Sequence, residues 1–72
     1  MLEHEVGRHV EKRFEYNRRH YVVSLINFSN GTSVEEVCID SGLRGQISGV
    51  VFDSEEAALV SAHQLARNLI GD

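Results

Sequence analysis

Tyr21-Val22-Val23-Ser24-Leu25-Ile26-Asn27-Phe28, then Ser29-Asn30-Gly31-Thr32, then Ser33-Val34-Glu35-Glu36-Val37-Cys38-Ile39, is the stretch on which the fold turns. Both arms are rich in β-branched and aromatic residues, which suit a pleated, half-buried surface. Between them, Asn30-Gly31 has the chemistry of a type I′ turn, because both central residues of that turn need positive φ. The stretch therefore reads as a β-hairpin, with strands over about 20–28 and 33–40. If Ser29 faces Thr32 across a two-residue turn, the register follows. One face then carries Phe28, Ile26, Ser24 and Val22 beside Ser33, Glu35, Val37 and Ile39. The other carries Asn27, Leu25, Val23 and Tyr21 beside Val34, Glu36, Cys38 and Asp40.

Downstream, Ser41-Gly42-Leu43-Arg44-Gly45 is a loop with two flexible points, and Gln46–Phe52 is a third strand. The strand runs directly into a helix start. Asp53 and Glu56 form a capping pair, with Ser54 the alternative cap one residue on, and Phe52 and Ala57 are placed for a hydrophobic staple. Glu55 and Glu56 suit the positive end of a helix dipole. Ala58, Ala62, Leu65 and Leu69 recur at three- and four-residue steps, widened by Ala66 and Ile70. Gly71 stands where a left-handed cap releases a helix. The spacing predicts a helix over 54–70 with one buried face.

Upstream, the pattern has two readings. Leu2, Val6, Val10 and Phe14 step by four, which suits a helix over 2–12. Phe14-Glu15-Tyr16 alternates, which suits a strand at 13–16. The expected fold class is α+β: a three-stranded antiparallel meander with the helix 54–70 packed on one face. The N-terminal segment adds either a helix or an extra strand. The helix is expected on the Phe28/Ile26/Val22 face. Tyr21, Val23, Leu25, Val34 and Cys38 are left on the second face, more apolar than water-facing positions should be.

The 72 residues make one small domain, 1–72, with no room for a second core. Chains of this size often need a staple. Cys38 is the single cysteine, so an internal disulfide is ruled out, and no Cys/His cluster has zinc spacing. Idealised packing or self-association is left as the expected support, and the second is carried forward. A net charge of −4 argues against indiscriminate binding to nucleic acid or anionic membranes. No apolar run approaches the ~20 residues of a membrane helix. The charged N-terminus lacks a signal-peptide core, so a cytoplasmic location is expected.

Few residues point to chemistry. His4 and His9 lie on different faces of any helix, and His20 and His63 read as surface positions. Cys38 lies between Val37 and Ile39 with no base beside it, so it reads as a core or interface residue and not a nucleophile. Gly42-Leu43-Arg44-Gly45 lacks the fuller glycine pattern of a phosphate loop. No cofactor or metal is implied, and the chain reads as a non-enzyme. Arg8, Lys12, Arg13, Arg18 and Arg19 with interleaved Phe14, Tyr16 and Tyr21 have a nucleic-acid-like composition, and Arg13, Arg18 and Arg19 are the candidate basic patch. Glu3, Glu5, Glu11 and Glu15 dilute them.

With a helix at its start, the layout of helix, three antiparallel strands and helix resembles double-stranded-RNA-binding domains. The small residues Ala57, Ala58 and Ala62 fit that family's packing. The resemblance implies RNA contacts from the start of the last helix, where the family places lysines after a serine. Here Ser54 is followed by Glu55 and Glu56, whose charge repels phosphate. Ser29-Asn30-Gly31-Thr32 also stands where the family has a Gly-Pro-x-His loop. The passage Phe52-Asp53-Ser54-Glu55-Glu56-Ala57 is similar to the ending of HicB-type antitoxins and of other small bacterial families. The functional expectation is a self-associating protein-interaction module, a homodimer through Tyr21, Val23, Leu25, Val34 and Cys38. A nucleic-acid accessory role through the N-terminal arginines is the alternative.

Overall fold

In the computed structural model, residues 7–71 are described. The chain forms β1 (Arg8–Tyr16), β2 (Arg19–Phe28), β3 (Gly31–Ile39), β4 (Arg44–Gly45) and α1 (Glu55–Ile70). The strands make one antiparallel sheet in the order β1-β2-β3-β4, and the helix packs on one face of it, chiefly over β3. The fold is α+β, a meander followed by a C-terminal helix, as the sequence predicts. No described helix is long and apolar enough to cross a membrane.

The N-terminal segment is strand from Arg8 onward, not helix, and residues 1–6 lie outside the described part of the predicted helix 2–12. The reason is arithmetic. A step of four is also two periods of a strand, so Val10 and Phe14 share a face in either structure. Lys12 and Tyr16 fill the intervening positions, and the burial of β1 alternates strictly from Val10 to Tyr16. β1 and β2 are joined through Asn17 and Arg18, with φ of 51° and 64°. This is the type I′ geometry, here without a glycine.

The second turn also differs from expectation. Phe28 faces Gly31, so Ser29 and Asn30 are the loop residues and Asn30 is not left-handed. Gly31, at φ 146°, serves close approach instead. A Cβ there would run into the carbonyl oxygen of Phe52 and lie 2.9 Å from Val51 Cγ1. Next to it, Thr32 N–H donates to Phe52 O (2.8 Å) and Phe52 N–H donates to Thr32 O (2.7 Å).

Most consequential is a bulge. Leu25 faces Val34 and Ser24 faces Glu36, so Glu35 is an extra residue in β3. It inverts the alternation, so that Val34 on one side and Val37 and Ile39 on the other all point to the same face. With Tyr21, Val23 and Leu25 they form the buried layer under Ala58, Ala62 and Ala66. The helix therefore covers the Tyr21/Val23/Leu25 face, and the expectation that it covers the Val22/Ile26/Phe28 face is corrected. Three alanines at four-residue steps present almost no side-chain bulk, which brings the helix backbone close to the sheet. Leu65, Leu69 and Ile70 flank the stripe, as do Ile47 and Phe52 from the connecting segment.

Of the predicted third strand, 46–52, only Phe52 pairs, and the two-residue β4 falls in the segment 41–45 expected to be a loop. β4 pairs with Val37 and Cys38 near one end of β3, and Phe52 bridges Thr32 at the other. Between them the chain is irregular, with Gly49 at φ 75° and Val50 and Val51 exposed. At Gly45 a Cβ would stand 2.9 Å from Leu65 Cδ2, so a larger side chain there would require the helix's leucines to shift. The helix starts at the alternative cap. Ser54 Oγ accepts from Ala57 N–H at 3.1 Å, and Gly71, at φ 77°, closes the other end by donating to Arg67 O.

Candidate interaction surface

The five residues read as an exposed second face do not form one. Tyr21, Val23, Leu25 and Val34 are buried beneath the helix. Cys38 is separated from them on the other side of the sheet, half-buried, beside Val22 and Arg44. The open face is instead built from His9, Glu11, Arg13 and Glu15 of β1, Val22, Ser24, Ile26 and Phe28 of β2, and Glu36 and Cys38 of β3. Its apolar centre, Val22, Ile26 and Phe28, is half-buried, and no helix among the described residues packs on it.

Charges on and around this face are interleaved, and several are paired. Arg19 lies 3.7 Å from Asp40, Arg44 3.9 Å from Glu36, and His9 3.7 Å from Glu35. The candidate basic patch is thereby divided. Arg18 and Arg19 sit at the β1–β2 turn, and Arg19 is matched to Asp40. Arg13 lies further along β1, opposite Val22. It borders a shallow depression of about 320 Å³ lined also by His20, Val22, Cys38 and Asp40. Among the described residues, no group of three or more His, Cys, Asp or Glu side chains is placed to hold a metal ion.

Under the helix, two polar clusters orient the sheet against it. Thr32 Oγ1 donates to Asn27 Oδ1, Asn27 Nδ2 donates to Glu55 Oε2 at 3.1 Å, and Lys12 Nζ lies 2.7 Å from Glu55 Oε1. The hydrogen bond from Lys12, then that from Asn27, holds the Glu55 carboxyl below its ordinary pKa. At the other end, Tyr21 Oη and His63 Nδ1 are 2.7 Å apart, and Phe14 packs edge-on to His63 at 4.5 Å. Arg67 lies over the Tyr16 ring. Burial raises the Tyr21 pKa, with Arg67 opposing; burial and then Arg67 lower that of His63. His63 is therefore a packed side chain and not the surface histidine expected from its position.

The feature that sequence reading missed is the outer edge of β1. Asp40 N–H donates to His20 O at 2.9 Å, so β2 residues of even number direct their backbone groups to β3. Those of odd number, from Arg19 to Asn27, must direct theirs to β1. Their partners are Tyr16, Phe14, Lys12, Val10 and Arg8. The same phase makes Thr32, opposite Asn27, turn away from β2, and it does so onto Phe52. His9, Glu11, Arg13 and Glu15 are left with N–H and C=O groups pointing away from the sheet. No strand among the described residues lies beside them. The signal was present in Glu11-Lys12-Arg13-Phe14-Glu15-Tyr16, where charge of alternating sign occupies every odd position. The chain matches no protein-family model, and no curated protein or solved structure was found to be similar to it.

Proposed function

We propose that this protein is a protein-interaction module that takes up an extended strand of a partner along β1. The observation that carries this reading is the nine-residue edge strand itself. It is regular, it projects backbone donors and acceptors at His9, Glu11, Arg13 and Glu15, and it is uncovered among the described residues. Exposed edges of this kind template further pairing. Strand addition draws affinity from main-chain hydrogen bonds and specificity from the alternate side chains.

The test uses the phase of the ladder. Peptides selected by display on the folded protein are titrated into a ¹⁵N-labelled sample. The largest shifts are expected at the amides of residues 9, 11, 13 and 15. Arg13→Pro, which removes an outward N–H while sparing the β1–β2 ladder, is expected to abolish binding. Peptides that map to the helix and bind Arg13→Pro unchanged would refute the reading.

A further inference from the structure

We propose that the strand which docks on β1 is β1 of a second copy of this chain, antiparallel, with the two-fold axis passing beside Lys12. The proposal rests on the reading of the β1 edge given above and names its partner.

Three features of β1 converge on this register. First, an antiparallel pair bonds residues whose backbone groups both point outward. Here these are His9, Glu11, Arg13 and Glu15, so only registers that bring odd residues opposite odd residues can form. An axis at Lys12 satisfies this, placing Glu11 opposite Arg13 of the second copy and His9 opposite Glu15.

Second, the charges select among the allowed registers. With the axis at Lys12, Glu11 meets arginine, Arg13 meets glutamate, and Glu15 meets histidine, in each copy. Moving the axis to Glu11 sets that carboxylate against its own copy. Moving it to Arg13 sets guanidinium against guanidinium and Glu11 against Glu15. Opposite charges directly across a strand pair stabilise it, and like charges destabilise it, by about 0.2–1 kcal/mol each. Axes at Val10 or Phe14 also set unlike charges opposite each other, His9 with Glu11 or Arg13 with Glu15, but over a shorter overlap and with one such pairing each. The axis at Lys12 sets two such pairings along the whole strand.

Third, the helix-side residues agree. Val10 falls opposite Phe14 of the second copy, an apolar pair, and Arg8 opposite Tyr16. Lys12 falls opposite itself, and each ammonium is already held 2.7 Å from Glu55 of its own chain, which neutralises the repulsion at the axis. The result is one continuous sheet running through both chains.

Sedimentation across about 1–500 µM is expected to give a reversible dimer, within the affinity range open to small interfaces. Glu11→Arg and Arg13→Glu each place like charges at two symmetry-related contacts, and each is expected to weaken association about tenfold. Mixed one to one, the two variants restore both contacts, so the mixture is expected to associate about tenfold more tightly than either variant alone. In a Cys38→Ser background, Lys12→Cys is expected to form an interchain disulfide. Residues facing each other at a non-hydrogen-bonded site have Cα atoms about 4.5 Å apart, within disulfide reach. Glu11→Cys, which faces residue 13, is expected not to form one.

The dimer is overturned if the wild type stays monomeric throughout. The register is overturned if the mixture associates no more tightly than either variant while both are folded by circular dichroism, or if Glu11→Cys cross-links in preference to Lys12→Cys. If a charge variant fails to fold, the cysteine pair decides. A monomeric wild type whose peptide binding is still lost in Arg13→Pro overturns self-pairing alone and leaves strand capture standing.

Discussion

The two edges of this sheet are treated in opposite ways. Along β3 the chain returns on itself, touching at Gly45 and again at Phe52, so that no long run of that edge is open. Along β1, nine residues lie in a regular strand with nothing beside them among the described residues. An open edge is a hazard that proteins blunt with charge, bulges or covering segments. Here the covering segment and the bulge both belong to β3, and β1 carries only charge. The difference is what supports the proposed strand capture at β1: among the described residues, the chain closes one edge of the sheet and leaves the other unpaired.

The contrast is broken most severely at the ladder. Lys12→Pro removes an N–H bonded to Val23 and is expected to cost about 3 kcal/mol of stability in urea denaturation. Arg13→Pro, one residue away, should cost under about 1 kcal/mol, because its N–H points outward. Equal losses from the two would mean that the phase of β1 has been misread. At the closed edge, Gly31→Ala forces a Cβ against the Phe52 carbonyl at a φ that side chains avoid. A loss of about 2–3 kcal/mol is expected, with faster amide exchange at Thr32 and Phe52. The proposed pairing along β1 should be unchanged in this variant, since the two edges lie on opposite sides of the sheet.

A smaller, opposite effect belongs to the β1–β2 turn. Arg18 holds φ 64° without being glycine. Arg18→Gly should raise stability by about 0.5–1 kcal/mol and leave the register intact, measured as a higher melting temperature. The smallest effect is pH-dependent. The folded-state pKa of His63 lies below its ordinary 6.5, so the unfolded chain takes up the proton first. Stability is therefore full above 6.5 and declines as pH falls from there through the folded value. The melting temperature of His63→Gln should fall less steeply over that interval.

These contrasts also mark how far the sequence could be read. The helix was legible because caps and stripe are local: Ser54, Glu55, Ala58, Ala62 and Gly71 each act within a turn or two of chain. β2 was legible from composition. The face that packs on the helix was not, because a single extra residue, Glu35, inverts the alternation, and nothing in Val34-Glu35-Glu36-Val37 announces which glutamate is the insertion. The Asn30-Gly31 pair suggested the wrong turn, since glycine there answers to Phe52, twenty-one residues away. β1 was half legible. Its four-residue step fits helix and strand alike, and Glu11 and Glu15, which make its charge alternate, read from the sequence only as diluting the arginines. Of the candidate residues, Arg13 lies on the edge strand, while Tyr21, Val23, Leu25 and Val34 proved to be interior. Only tertiary contact distinguishes an apolar face that a helix covers from one that awaits a partner.

Glu35 has one more consequence, for inheritance. β3 is two half-strands of opposite parity spliced at a single residue, inner positions falling on even numbers before it and on odd numbers after it. A descendant that lost this residue could keep only one half in phase with the helix. It would have to exchange polar for apolar side chains along the whole of the other half. Relatives of this chain should therefore carry the insertion and the parity break together, and a comparison that opens a one-residue gap at position 35 will align the two halves where an ungapped one can align only one.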